Sequence, residues 1–331
     1  MNVSTCTWAV AIAAIVLQGC AIRGEVDPAL LTFDQSRLPA PDISLRIAGL
    51  GPCTDNPDRT VSLNAQEPVT VLVHGCYGSS GQFRGLAQVL AFHGQQTACF
   101  TYDDRDSMDV SAAELTAALD LLMPQLKVPS AATPVTVIGH SQGALISRRA
   151  LTASRPAPGG GDAALRLVTV SGPFGGIAAA SPCGSPVYRA FSLGLIAPMC
   201  RIATGDKWSE ITLWSNFIRQ PGALGRQVHS HLKIDTDERG SCRQMVDGRC
   251  VEDDLIFSLD EQRNPAVDRD PATQIVEVQA GHVEIVGDQY VAPVKLIAIL
   301  QQSGVMRPTE PQRVAALDRL LERVYGKPRA P

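Results

Sequence analysis

The 331-residue chain carries a net charge of −4, and 45% of its residues are hydrophobic while 19% are charged. This length and hydrophobic content suffice for one large α/β domain with a sizeable core. The mild acidic balance gives no reason to expect a nucleic-acid partner.

Residues 1–19 are predicted to be a signal peptide. Trp8–Leu17 is an unbroken apolar run, too short to span a bilayer and typical of the core of a signal peptide. The run leads into Leu17-Gln18-Gly19-Cys20, which resembles a bacterial lipobox. The resemblance implies that Cys20 is an acylated membrane anchor, that residues 20–42 are a tether, and that the protein lies in the cell envelope at the outer membrane. The alternative is an ordinary secretory signal and a secreted protein.

Export places the cysteines in an oxidising compartment. Nine cysteines occur, and seven of them follow Cys20, so at least one lies outside any intramolecular disulfide. Cys242 and Cys250 bracket an Asp-Gly pair typical of a hairpin turn, which makes their pairing the most favoured. Cys183–Cys200 is the next most favoured, and the remaining pairings stay open. No Cys-x-x-Cys pair occurs, so no metal site is predicted from the cysteines.

The first half of the predicted domain alternates strands with helices. Val69–Val73 is continuously apolar or β-branched, as in a strand that is buried on both faces. The other predicted elements are strands at Ile43–Leu50, Thr60–Asn64 and Ala98–Tyr102 and helices at Gly81–Gly94 and Ser111–Lys127.

The stretch from Pro134 to Ala153 carries the clearest functional pattern. It begins with β-branched residues typical of a strand and ends with apolar residues at helical spacing. Gly139-His140-Ser141-Gln142-Gly143 lies between the two. Glycine at positions 139 and 143 permits a sharp turn, so Ser141 is predicted at its apex beside the free N–H groups of a helix N-terminus. Such N–H groups can stabilise an oxyanion.

This strand–turn–helix resembles the nucleophile elbow of the α/β-hydrolase superfamily, particularly its bacterial lipases and esterases. The resemblance also rests on His74-Gly75, on Gly172–Gly176 and on Gly281-His282, and it covers roughly Val69 to Gln302. It implies an α/β-hydrolase fold over residues 43–302, with a doubly wound, mostly parallel sheet, helices on both faces and an inserted cap or lid at about 178–254. It also implies acyl-ester chemistry without a cofactor.

The same resemblance assigns roles around the elbow. The backbone N–H groups of Cys76 and Gln142 are the expected oxyanion donors, and Gly75 belongs to the same loop. Phe174 and Tyr77 are the expected walls of an acyl pocket. His74 is interpreted as a structural histidine that supports the loop.

The second half of the chain contains the expected cap. Residues 178–205 are strongly apolar, and a lid over the site and a packed helix pair are equally compatible with that pattern. The predicted strands are Arg166–Val170, Ile211–Trp214, Leu255–Leu259 and Thr273–Gln279, and the closing helix is Pro293–Gln302. Residues 303–331 are predicted to be a linker and a C-terminal amphipathic helix.

The predicted base is His282, because an imidazole can take the proton of Ser141 and pass it to a leaving alcohol. A carboxylate should orient that imidazole, and in the resembling superfamily the chain order is serine, acid, histidine. Asp260 is the preferred acid because it follows the predicted strand Leu255–Leu259. The order rule also admits three alternatives, namely Asp254, Asp237 and Asp235.

The predicted function is hydrolysis of carboxylic esters, with an ester or lipid as substrate. Thioester or amide hydrolysis and acyl transfer remain open because they use the same site. A non-catalytic envelope protein that retains the fold is a further alternative. His229-Ser230-His231 lies near Asp235 and Asp237, but a solvated polar hairpin is favoured there over a metal site, and the oligomeric state is not predicted.

Overall fold

The computed structural model describes residues 38–128, 133–158, 164–288 and 290–326. The predicted signal peptide, Cys20 and most of the predicted tether lie outside these residues. The strands are β1 (Ile43–Leu45), β2 (Leu50–Gly51), β3 (Val61–Leu63), β4 (Val69–Val73), β5 (Gln96–Phe100), β6 (Val135–His140), β7 (Leu165–Val170), β8 (Val228–Asp237), β9 (Cys242–Val246), β10 (Arg249–Asp253) and β11 (Thr273–Gln279).

A seven-stranded sheet forms the centre of the fold, in the order β11-β8-β7-β6-β4-β5-β2. Its strands are parallel except for β2, which runs antiparallel to β5 at one edge. The central strands β4 and β6 are buried along their whole length, which explains their continuous apolar character. The parallel arrangement brings the carboxyl ends of β4, β6, β7, β8 and β11 to one edge of the sheet.

Helices follow the strands, as expected of a doubly wound sheet. They are α1 (Arg84–Phe92), α2 (Met108–Leu122), α3 (Gln142–Ala150), α4 (Ser181–Gly184), α5 (Pro186–Phe191), α6 (Ile196–Thr204), α7 (Lys207–Glu210), α8 (Asn216–Arg219), α9 (Leu259–Gln262), α10 (Pro265–Asp268), α11 (Val294–Gln302) and α12 (Val314–Tyr325). The terminal helix α12 packs on α1, and α2 packs on α3. None of the described helices combines the length and the apolar composition needed to cross a bilayer.

The sheet differs from the sequence prediction at β8. Ile211–Trp214 forms turns between α7 and α8, and Leu255–Leu259 is an extended segment that enters α9, so neither of these predicted strands exists. The strand at this place in the sheet is Val228–Asp237, inside the predicted cap. The segment predicted as a single insertion is therefore divided by β8 into two. The first insertion, residues 171–227, carries α4–α8. The second insertion, residues 239–258, carries the β9–β10 hairpin.

Three disulfides occur among the described residues. Cys242–Cys250 and Cys183–Cys200 are the two predicted pairs, and both are confirmed. Cys53–Cys99 is the third, and it ties the loop after β2 to β5. Cys76 lies outside these three bonds. The first insertion is thus clamped by its own cross-link between α4 and α6.

Candidate active site

Ser141 lies at a sharp turn between β6 and α3. Its backbone angles, φ of 56° and ψ of −125°, lie in a region that residues other than glycine rarely adopt. A Cβ on Gly139 would lie 2.3 Å from the carbonyl oxygen of Gly143, and one on Gly143 would lie 2.3 Å from that of His74. Glycine is therefore required at both positions, as the sequence predicted. The turn has the form of a nucleophile elbow.

His282 follows β11 at the same edge of the sheet as Ser141. The Nε2–H of His140, the residue before Ser141, donates to the backbone oxygen of His282 at 2.9 Å. The centroids of the two imidazole rings lie 4.7 Å apart. The centroid of the Phe257 ring also lies 4.7 Å from that of the His282 ring. Burial, with the nearby imidazole of His282, holds the pKa of His140 well below its usual range. A neutral His140 thus supports the loop that carries His282.

Glu238 is the carboxylate that contacts His282. Its Oε1 lies 2.9 Å from Nδ1 of His282, and its side chain is completely buried. Its Oε2 accepts the backbone N–H groups of Ile256 at 2.6 Å and Phe257 at 2.7 Å. Burial alone raises the pKa of Glu238, but the hydrogen bond and charge of His282 and these N–H groups outweigh it and lower the pKa. Glu238 is therefore held as a carboxylate.

The structure places Glu238, and not Asp260, the preferred acid of the sequence analysis, against the imidazole of His282. Asp260 is exposed on the first turn of α9, whereas the imidazole of His282 faces Glu238. Asp235 points elsewhere and pairs with buried Lys233 at 2.5 Å, and Asp237 pairs with Arg239 at 2.5 Å. Glu238, like Asp260, lies between Ser141 and His282 in the chain.

Asp254, the remaining alternative acid, forms hydrogen bonds with the backbone at and beside His282. Its carboxylate accepts hydrogen bonds from the backbone N–H groups of Val283 at 3.1 Å and Glu284 at 2.9 Å. Its backbone oxygen accepts a hydrogen bond from the backbone N–H of His282 at 3.0 Å. Burial raises its pKa despite these hydrogen bonds. Asp254 therefore fixes the loop of His282 without touching the imidazole.

The predicted oxyanion loop lies against the elbow. A Cβ on Gly75 would lie 2.9 Å from the Cβ of Ser141. The loop therefore comes closest to Ser141 at Gly75, and Cys76 is the next residue. His74 stacks on Tyr102 with ring centroids 4.4 Å apart, and its Nδ1–H donates to the oxygen of Gly75 at 2.9 Å. Burial lowers the pKa of His74. These contacts fit the predicted structural role of His74, while Gln142 begins α3 directly after Ser141.

The first insertion also supports this loop, through a residue that no sequence pattern indicated. Lys207 of α7 is 1% exposed, and its Nζ lies 2.7 Å from Oδ2 of Asp104 and 4.2 Å from the ring centroid of Tyr77. The same Oδ2 accepts the backbone N–H of Tyr77 at 2.5 Å. Burial opposes the charge of Lys207, but Cys76 and Asp104 raise its pKa overall. An ammonium from the insertion thus holds the loop that carries Cys76.

The two predicted walls of the acyl pocket lie in different places. Phe174 is 3% exposed, and its ring packs near His231 and Lys233 in the core. Tyr77 is 42% exposed beside the oxyanion loop. His231 is buried, with Thr169 and Thr273 at 2.8 Å from its two ring nitrogens. Among the described residues, no group of histidine, cysteine and acidic side chains is arranged to hold a metal ion.

The first insertion exposes an unusual amount of apolar surface. Phe191 is 86% exposed and Leu193 is 91% exposed, and no residue of α6 is buried. The side chains that form this apolar cap surface are Val187, Tyr188, Phe191, Leu193, Leu195, Met199 and Ile202. The exposure of these side chains is more than a closely packed helix pair would show.

No protein-family model and no curated protein matches the sequence. The propeptide form of a lipase from Bacillus licheniformis aligns with a TM-score of 0.52 at 16% identity, and the match covers 82% of this chain and 55% of that one. The mature form of a lipase from the same organism gives 0.49 at 15% identity, with 81% and 100% covered. Esterase B of Lactobacillus rhamnosis gives 0.48 at 13% identity, with 94% and 99% covered. The mostly parallel sheet, its flanking helices and the Bacillus likeness together show that the chain has an α/β-hydrolase fold.

Proposed function

We propose that the protein is a serine-dependent carboxylic-ester hydrolase in which Ser141, His282 and Glu238 act together. The observation that carries the proposal is the buried Glu238 carboxylate on Nδ1 of His282, whose backbone is held by the residue that precedes Ser141. A carboxylate on Nδ1 keeps the proton there and leaves Nε2 as the base.

The proposed reaction is acyl transfer to Ser141 followed by hydrolysis of the acyl-enzyme. Nε2 of His282 takes the proton of Ser141 as Oγ attacks the acyl carbonyl. The backbone N–H groups of Cys76 and Gln142 stabilise the oxyanion, and the imidazolium returns its proton to the leaving alcohol. Water then releases the acid from Ser141 by the same proton transfers in reverse. The proposed reaction uses no cofactor.

The apolar cap surface supports a lipid or long acyl ester as substrate. Exposed apolar patches rimmed by polar residues mark sites of interaction with apolar partners. Anchoring through an acylated Cys20 in the bacterial envelope belongs to the same proposal.

The test compares turnover of butyryl and palmitoyl esters, with acyl thioesters as competing substrates. The wild type should hydrolyse both esters, and Ser141→Ala should lower kcat by at least about 10⁴-fold. Phe191→Ser should slow palmitoyl esters while leaving butyryl esters within about twofold, because it removes apolar cap surface only. Leu121→Ser on α2 is the matched control, since Leu121 is 56% exposed outside the cap.

Ester turnover that survives Ser141→Ala would contradict the function. An equal loss on both acyl lengths, or a loss in the Leu121→Ser control, would contradict the assignment of the cap to long acyl chains. Faster turnover of thioesters than of esters would favour the thioesterase alternative.

A further inference from the structure

A second buried serine lies at the site and has no part in the proposed reaction. Ser171 follows β7 directly and is completely buried. Its hydroxyl lies 2.8 Å from Oε1 of Glu238, 2.9 Å from Nδ1 of His282 and 2.6 Å from Oγ1 of Thr236. No sequence pattern had singled out this residue.

The donors and acceptors of this cluster can be assigned. Glu238 is a carboxylate and only accepts, so the single O–H of Ser171 donates to its Oε1. The Ser171 oxygen can then accept the Nδ1–H of His282, while the hydroxyl of Thr236 lies within donating distance of both the Ser171 oxygen at 2.6 Å and Oε1 of Glu238 at 3.1 Å. The Nδ1–H is thereby shared between Glu238 and Ser171, and Ser171 also braces the carboxylate.

The backbone of Ser171 is strained in the same sense as that of the nucleophile. Its φ is 50°, a positive value that residues other than glycine rarely adopt. Tyr77, with φ 54°, and Ser141, with φ 56°, also have positive φ values and also follow strands of the sheet. The N–H of Ser171 still donates to the oxygen of Ile234 at 2.9 Å, so the strain lies at the point where β7 ends. Strained residues of this kind persist where the surroundings fix them, and they cluster at functional sites.

We propose that Ser171 is a positioning residue for His282, resting on the proposed ester hydrolysis. Its hydroxyl fixes Glu238 against rotation and supplies a second acceptor for Nδ1–H. The imidazole is thus locked in the tautomer that leaves Nε2 free to take the proton of Ser141. Ser171 does not touch substrate and forms no covalent bond in the reaction.

A double-mutant cycle tests this role in the full chain. Ser171→Gly removes the hydroxyl and tolerates the positive φ, and Ser171→Ala is a second variant that keeps the Cβ. Either change should lower kcat about tenfold, since a hydrogen bond to a charged group is lost, with KM within about twofold. Ser111→Ala is the matched control, because it removes a buried serine hydroxyl on α2 and should leave kcat unchanged.

The second arm of the cycle is Glu238→Gln. The backbone N–H groups of Ile256 and Phe257 hold the amide oxygen, so the amide NH₂ faces His282 and Ser171 and forces the wrong tautomer. In this background Ser171→Gly should change kcat less than about twofold, because the tautomer that the Ser171 hydroxyl protects is already lost. Equal factors in both backgrounds, or no loss of kcat in Ser171→Gly, would overturn the proposal.

A readout that does not depend on turnover separates this proposal from the proposed function. In ¹⁵N-labelled protein, the ring nitrogen shifts of His282 should report a proton on Nδ1 in the wild type and a mixture of tautomers in Ser171→Gly. Unchanged shifts in that variant would overturn the positioning role. Intact tautomer control without any ester turnover would instead contradict the proposed function alone.

Discussion

Glu238 is a buried carboxylate whose acceptor positions are filled on both oxygens. The hydroxyl of Ser171 and the imidazole of His282 contact Oε1, and two backbone N–H groups contact Oε2. A buried charge is costly unless such partners compensate it. Because they do, Glu238 stays ionised and can stabilise the imidazolium of the proposed reaction.

This arrangement predicts opposite results for two carboxylates of the chain. Glu238→Gln should lower kcat for a butyryl ester by about 10³–10⁴-fold with little change in KM, because it removes the orienting charge. Asp260→Asn is the control and should leave both constants within about twofold, because Asp260 is exposed. Steady-state kinetics of both variants check this, and a large loss confined to Asp260→Asn would contradict the assignment.

The sequence pointed to Ser141 and His282 but not to Glu238, and the reason lies in strand geometry. Asp235, Asp237 and Glu238 stand close together, and the chain-order rule admits all of them. Side chains alternate between the two faces of a strand, so only the register of β8 decides which carboxylate meets His282. That register puts Glu238 on the side of Thr236, which also contacts Ser171, and Asp235 on the opposite side with Lys233.

At the scale of elements, strands with apolar or β-branched runs were predictable and β8 was not. Val69–Val73 and Thr273–Gln279 were predicted with their observed bounds. β8 contains Lys233 and Asp235, which are both fully buried and paired with each other. Charged residues usually indicate a solvated segment, so this buried pair concealed a strand that lies second from one edge of the sheet. The apolar segments 211–214 and 255–259 were mistaken for it.

The first insertion contacts the loop that follows β4. Lys207 reaches from α7 to Asp104 and holds the loop of Tyr77, while the Cys183–Cys200 bond clamps the helices around it. This contact joins residues far apart in the chain, and neither partner belongs to a recognisable motif. Sequence periodicity does not report such a contact, which explains why it was not predicted.

For the molecule as a whole, three buried neutral histidines contribute to the response of stability to pH. Burial lowers the pKa of His74, His140 and His231 below the ordinary value of 6.5. At these three positions the unfolded chain therefore binds more protons than the folded one once the pH falls below 6.5. The stability these histidines confer is present above that pH and is lost as the pH falls toward their folded pKa values.

Unfolding by urea between pH 8 and pH 5.5 should show this loss. Each histidine should contribute a slope of up to about 1.4 kcal/mol per pH unit below its ordinary pKa. His231→Gln should reduce the slope, whereas His229→Gln, on an exposed position of the same strand, should not. Stability that is flat across this range, or equal slopes in both variants, would contradict the account of neutral buried histidines.

The central claim is that Ser141 is a nucleophile activated by His282, and covalent labelling tests it most directly. A fluorophosphonate should form one adduct, which peptide mass spectrometry should locate on Ser141. Ser141→Ala should not be labelled, and His282→Ala should react at least about 10²-fold more slowly because the general base is lost. A folded wild-type protein that resists the reagent, or an adduct on another serine such as Ser171, would contradict the account.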